Sequence, residues 1–94
     1  MDNKRESNNP LILLKIQTKE GVSFNDKVKA ITSYNEKGIF DVLPQHENFI
    51  SVIKDKIIIH MTDGKDKEIK IDNGVLRVYE NEAHIFLGLA EANA

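Results

Sequence analysis

The sequence predicts an all-β fold, an antiparallel two-sheet β-sandwich of about eight to ten short strands. Short apolar or alternating segments recur roughly every eight to twelve residues, with turn-forming residues between them. The stretch 38–49, GIFDVLPQHENF, is the centre of the pattern, because Ile39, Phe40, Val42 and Leu43 give one strand apolar side chains on both faces. One face can serve the core. The other requires a second layer or a partner, unless the strand is buried on both faces of a small sandwich.

The first half of the chain supplies four predicted strands. Pro10 introduces the first, which is too short for a helix and places Ile12 and Leu14 on one face. Asn25 and Asp26 are expected to end the second strand. Pro44 ends the fourth, because proline cannot donate to a sheet ladder. These strands are predicted over residues 11–17, 22–24, 27–33 and 39–43.

The second half supplies five more strands. Asp63-Gly64 is the strongest hairpin signal and predicts a type I′ turn. Polar residues 54–56 and the pair Asn73-Gly74 predict further turns, and residues 80–82 a third tight connection. Alternation places Leu76 and Val78 on one face of the strand that follows Gly74. The five strands are predicted over residues 49–53, 57–62, 67–71, 75–79 and 84–87.

Length and composition limit the class of protein. The 94 residues predict one domain, with a flexible tail over residues 1–9 and a β-sandwich over 10–92. There is no cysteine, which excludes disulfides and thiolate metal ligands. The net charge of -2, with both signs interleaved, gives no attraction to nucleic acid or anionic lipid. The longest apolar run, residues 11–14, is far below the roughly 20 needed to cross a bilayer, and no signal peptide is evident, so we expect a cytoplasmic protein.

The sequence contains no recognisable catalytic motif, so we expect no catalytic residue, cofactor or metal site. His46, His60 and His84 are far apart in sequence, and a zinc site would require the fold to bring them together. Otherwise they are ordinary turn and sheet residues. Asp41 lies among apolar neighbours and is either a buried carboxylate or, as is more common, a residue that faces solvent at a sheet edge or accepts backbone hydrogen bonds.

The order of these elements resembles the N-terminal β-sandwich of the epsilon subunit of rotary F-type ATP synthases. The likeness covers roughly residues 11–92 and is strongest in the segment G-x-F-x-V-L-P-x-H from Gly38 to His46. The usual form in that family is G-x-[FL]-G-[IV]-L-P-G-H, so Asp41 and Gln45 replace two glycines. Glu47-Asn48 similarly replaces the habitual Ala-Pro.

The resemblance implies a non-catalytic central-stalk subunit of a proton-translocating F-type ATP synthase, which couples the gamma subunit to the c-ring. It implies no cofactor of its own and a cytoplasmic position on the inner face of the cell membrane, held there by the complex. We also expect the C-terminal pair of helices found in many members, with its ATP-binding segment, to be absent. The residues that the resemblance places against the c-ring are Asn35, Glu36, Lys37, Gly38, Leu43, Pro44, Gln45, His46, Glu47 and Asn48.

A second interpretation remains open from the residues alone. The same fold could be a free-standing β-sandwich that binds a protein or peptide through another surface. The chain has 6% aromatic residues and no tryptophan, which disfavours stacking of sugars on exposed rings. Binding to a gamma subunit would distinguish a stalk subunit from such a module.

Overall fold

The computed structural model describes residues 10–88. These residues form seven strands and no helix, which confirms the all-β prediction. Among these residues there is no helix of the length and hydrophobicity required to span a membrane. The expected tail 1–9 and residues 89–92 of the expected domain lie outside the described part. The strands are β1 (Ile12–Thr18), β2 (Gly21–Val28), β3 (Ala30–Asn35), β4 (Gly38–Val42), β5 (Phe49–His60), β6 (Asp66–Tyr79) and β7 (Glu82–Leu87).

The strands form one continuous hydrogen-bonded sheet in the order β2-β1-β7-β6-β5-β3-β4. All neighbouring pairs are antiparallel except β1 and β7, which are parallel. The first half of β5 pairs with the second half of β6, next to β7, whereas the second half of β5 pairs with β3. The two halves of these long strands therefore belong to different layers of a sandwich.

The core lies between these two layers. Ile12 and Val28, from the β1–β2 end of the sheet, share one buried cluster with Ile31 and Val42 from the β3–β4 end. Side chains from both ends of a continuous sheet can meet only if the sheet folds over on itself. Every strand contributes to this cluster, whose fully buried side chains include Leu14, Ile16, Ile53, Ile57, Ile59, Leu76 and Ile85.

The expected strand number of about eight to ten is higher than the seven described because two predicted turns lie inside strands. Residues 54–56 form a bulge in β5, where Asp55 has φ 71°, and do not reverse the chain. Gly74 likewise lies within β6. A Cβ added there would come 2.6 Å from Leu87 Cδ2 and 2.8 Å from the Phe86 carbonyl oxygen. This glycine allows β6 to approach β7 closely, a role that glycine can also have within strands.

The predicted strand 27–33 is in fact divided at Lys29. Val28 ends β2 and Ala30 begins β3, and the Lys29 amide donates to the His60 carbonyl over 2.8 Å. Val28 and Ile31 are both fully buried although strict alternation would place them on opposite faces. The chain changes layer between them. Conversely, residues 25 and 26 do not interrupt β2, which is continuous through them.

The hairpin geometry also differs from the prediction. Gly64 has φ 89°, but Asp63 does not have the positive φ that a type I′ turn requires. The Gly64 amide donates to the Met61 carbonyl over 3.1 Å, so the turn spans residues 61–64. Instead, Glu80 and Asn81, with φ 49° and 64°, form the two-residue connection of type I′ character between β6 and β7.

Candidate partner-binding surface

The β3–β4 turn contains the first group of expected contact residues. Asn35 Oδ1 accepts a hydrogen bond from the Lys37 amide over 2.8 Å, and Gly38 has φ 120°. Asn35 Nδ2 donates to Ser51 Oγ over 3.2 Å, which attaches the turn to β5. Glu36 and Lys37 are exposed at its tip. The turn therefore presents one negative and one positive side chain on a locally hydrogen-bonded backbone.

The second group lies in the loop over residues 43–48 between β4 and β5, called here the β4–β5 loop. The His46 amide donates to the Leu43 carbonyl over 3.1 Å across Pro44 and Gln45. Gln45 has φ 66°, so proline at the second position and a positive φ at the third give the features of a type II turn. Glycine is preferred at the third position of such a turn. This preference explains why the pattern G-x-[FL]-G-[IV]-L-P-G-H has glycine where this chain has Gln45.

Side-chain and backbone contacts hold this loop against the body of the protein. The Gln45 amide donates to Asn81 Oδ1 over 2.8 Å, and the Glu80 amide donates to Asn48 Oδ1 over 2.9 Å. Both bonds join the loop to the β6–β7 turn. The ring centroid of His46 lies 5.0 Å from that of Phe49. The loop is therefore anchored at three points, while Leu43 remains 54% exposed.

The two expected groups both lie beside the beginning of β5, but they contact different parts of it. The β3–β4 turn contacts Ser51, and the β4–β5 loop contacts Phe49. A surface groove of about 610 Å³ lies between the turn and this part of β5. Its lining residues are Asn35, Glu36, Lys37, Phe49, Ile50, Ser51, Val52 and Lys54.

An exposed apolar surface, which the sequence did not predict, lies next to this groove. Val52 is aligned with Val75 on β6, and Val75 with Phe86 on β7, so that these side chains share the outer face. Ile50, two residues before Val52, belongs to the same face; these two are 68% and 65% exposed. We call Ile50, Val52, Val75 and Phe86 the apolar stripe. Its sequence signal is weak, since residues 49–53 are mostly apolar and do not reveal which face is buried.

Basic side chains lie beside the apolar stripe. Ile50 is aligned with Arg77, Arg77 with His84, and His84 with Lys15 in successive strands. The Arg77 guanidinium carbon lies 5.3 Å from the ring centroid of Tyr79, which is 51% exposed. The surface thus combines an apolar centre with a charged margin, and an apolar centre with a polar rim that includes arginine is common in protein interfaces.

Asp41 takes part in a hydrogen-bonded row across four strands. It is an exposed residue of the edge strand β4, as one of the two alternatives expected, and its Oδ1 accepts from Thr32 Oγ1 over 2.6 Å. Since Thr32 donates its single hydroxyl hydrogen there, it can only accept from His60 Nε2, 2.8 Å away. His60 Nδ1 lies 2.9 Å from Asp66 Oδ1. The row joins β4, β3, β5 and β6, and Thr32 is only 6% exposed, which favours a structural role.

The three histidines occupy separate environments. His46 Nδ1 donates to the Glu47 carbonyl over 2.9 Å, His60 belongs to the row just described, and His84 Nε2 lies 3.5 Å from Glu82 Oε1. Among residues 10–88, no group of three or more histidine, aspartate or glutamate side chains is placed to hold a metal ion. The fold does not bring the histidines together as a zinc site would require.

Comparison with known proteins agrees with the resemblance seen in the sequence. The chain is 42% identical over 71 residues to the ATP synthase epsilon chain of a Nitratiruptor species, covering 74% of this chain and 55% of that protein. It is 36% identical over 73 residues to the epsilon chain of a Sulfurovum species, covering 77% and 57% respectively. The chain thus spans a little over half the length of these curated relatives.

Solved structures and a family model extend this comparison. A chain of the Euglena gracilis mitochondrial ATP synthase matches with a TM-score of 0.77 and 21% identity, over 82% of this chain and 50% of that one. A chain of the Tetrahymena thermophila enzyme's central stalk and c-ring matches with a TM-score of 0.70 and 15% identity, over 80% and 61%. At these identities the structures support the fold. The family model for the β-sandwich domain of the ATP synthase delta/epsilon chain matches residues 12–93 of this chain. The chain belongs to this family of ATP synthase delta/epsilon β-sandwich domains.

Proposed function

We propose that this chain is a non-catalytic rotor subunit of a proton-translocating F-type ATP synthase, coupling the gamma subunit to the c-ring. The observation that carries the proposal is the family match over residues 12–93, together with relatives named ATP synthase epsilon chain. In this role the chain makes and breaks no bonds and requires no cofactor. It is cytoplasmic and is held at the inner face of the cell membrane by the complex.

The fold has the properties required of a mechanical coupling. A torque applied to one surface reaches another without loss only if the body between them deforms little. The sheet is hydrogen-bonded continuously from β2 to β4, and its side chains pack in one core. Closely packed interiors have low compressibility and transmit strain. A sandwich of this kind can therefore turn as a unit between two partners.

We assign the contact with the c-ring to the β3–β4 turn and the β4–β5 loop. The turn presents Glu36 and Lys37, and the loop presents the exposed side chain of Leu43. Both segments are held by hydrogen bonds to the body of the sandwich. Segments held in one conformation lose little conformational entropy on binding, which favours a stable contact.

We assign the contact with the gamma subunit to the apolar stripe. Ile50 and Val52 are among the most exposed large apolar side chains of the described residues. A complementary partner surface has an apolar centre that covers them and carboxylates facing Arg77 and Lys15. The groove of about 610 Å³ shares Ile50 and Val52 with the stripe and Lys37 with the turn, so the two proposed contacts are adjacent.

Binding to purified partners tests the proposal. The chain is mixed separately with the gamma subunit and with the c-ring of the source organism, and both affinities are measured. We expect binding to both. An aspartate at Ile50 or Val52 should weaken gamma binding at least tenfold, about 1.4 kcal/mol, because it buries an unpaired charge. Ile39→Asp is the matched control, since Ile39 is 63% exposed on the edge strand β4, which is separated from β5 by β3.

Distinct outcomes separate the parts of this proposal. A wild-type chain that is folded but binds neither partner contradicts the rotor function and favours a free-standing binding module. Equal loss of gamma binding in the Ile39 and Ile50 variants contradicts the assignment of the gamma face alone. For the ring contact, the double charge reversal of Glu36 and Lys37 should weaken ring binding and leave gamma binding unchanged.

A further inference from the structure

We propose that Asn81 is a positioning residue that holds the β4–β5 loop in the conformation in which it meets the c-ring. This inference rests on the proposed function. Asn81 lies in the β6–β7 turn and belongs to neither segment expected at the ring. Its contacts nevertheless join that loop to the start of β1, which is far from the loop in sequence.

Asn81 contacts two separate segments through three polar groups. Its side-chain oxygen accepts from the Gln45 amide over 2.8 Å, and its side-chain nitrogen donates to the Leu11 carbonyl over 3.0 Å. Its own carbonyl accepts from the Leu13 amide over 3.4 Å. The side chain thus bridges the loop and the N-terminal end of β1, while the backbone continues the sheet.

The chemistry of this position favours asparagine. The residue has φ 64°, a region that asparagine tolerates better than most residues. The carboxamide offers one acceptor and two donors on one short side chain, which matches the Gln45 amide and the Leu11 carbonyl. Aspartate retains the acceptor but lacks a donor for Leu11. Glycine retains the backbone conformation and loses both side-chain bonds.

The bond to Gln45 stabilises a strained part of the loop. Gln45 is a non-glycine residue with φ 66°, which costs roughly 1–2 kcal/mol relative to ordinary conformations. Its side chain is exposed and provides little packing. A loop that is already held in this conformation loses less conformational entropy when it binds the ring.

Hydrogen exchange on the isolated chain tests whether Asn81 holds the β4–β5 loop when no partner is bound. In Asn81→Gly we expect the Gln45 amide to exchange about five- to tenfold faster, the effect of losing one hydrogen bond. Asn81→Asp should keep Gln45 protection, because the acceptor remains. Glu80→Gly is the matched control: Glu80 has φ 49° in the same turn and bonds Asn48 through its backbone. Unchanged Gln45 exchange in Asn81→Gly overturns the inference.

Ring binding tests the functional part of the same inference. We expect Asn81→Gly to bind the c-ring about fivefold more weakly and the gamma subunit unchanged, with Asn81→Asp restoring ring affinity. A general loss of stability would weaken both interactions and would overturn the positioning role. Ring affinity unchanged in Asn81→Gly would also overturn it while leaving the rotor function intact. Failure of the wild-type chain to bind the ring would refute the proposed function itself.

Discussion

The positive φ of Gln45 predicts that glycine is the more stable residue at this position. Gln45 occupies the third position of the turn over residues 43–46 with φ 66°, and its side chain is exposed. Gln45→Gly leaves the amides of residues 45 and 46 able to make the bonds to Asn81 and Leu43. The substitution therefore removes backbone strain without removing a described side-chain contact.

The size of the effect follows from two opposing terms. A non-glycine residue in the left-handed region costs roughly 1–2 kcal/mol. Glycine loses roughly 0.5–1 kcal/mol more conformational freedom on folding. The net expectation is a gain of about 0.5–1 kcal/mol, or a rise in Tm of about 2–8 °C for a domain of this size.

Urea and thermal unfolding measure this difference, with a neighbouring glycine substitution as the control. Glu47 is also exposed in the β4–β5 loop, but it is not among the residues with positive φ. Glu47→Gly should therefore lower the Tm, since it adds unfolded-state freedom and relieves no strain. A Tm lowered equally by the two substitutions would refute the assignment of strain to Gln45.

Three further substitutions test the packing and the polar row. Gly74→Ala should destabilise the fold by about 1–3 kcal/mol, because the new methyl group overlaps Leu87; urea unfolding checks this, and unchanged stability would contradict the close approach. Thr32→Val should lower the free energy of unfolding by about 1–2 kcal/mol, because it removes the hydrogen bonds to Asp41 and His60. Thr32→Ser should retain both bonds, so equal losses in the two variants would exclude this cause. Ile57→Ala should cost about 2–5 kcal/mol in the same assay, and a loss below about 1 kcal/mol would contradict complete burial.

Local patterns in the chain predicted much of the secondary structure. Alternation identified Leu76 and Val78 as one face of a strand, and both are buried. The segment from Gly38 to His46 predicted a strand ended by Pro44, and the strand does end at Val42. Such predictions succeed because side-chain alternation and proline chemistry depend on neighbouring residues.

The positions of the expected contact residues were only partly predictable. Asn35 to Gly38 fall between the predicted strands 27–33 and 39–43, and they do form the β3–β4 turn, in which Asn35 accepts from the Lys37 amide. The support of the β4–β5 loop by Asn81 could not be predicted, because the donor and acceptor are 36 residues apart. The apolar stripe was missed for a similar reason: its residues lie on three strands and form one surface only through strand pairing.

Residue order was sufficient to predict an all-β domain and the family resemblance, since both depend on short segments and their spacing. It was insufficient to predict that β5 and β6 continue through polar residues into both layers, or that β1 pairs with β7 in parallel. Asp55 and Gly74 are residue types common in turns. In the structure, however, Asp55 lies in a β-bulge of β5 and Gly74 allows a close contact between β6 and β7. Strand pairing decides between these uses, because it depends on contacts between residues far apart in the chain.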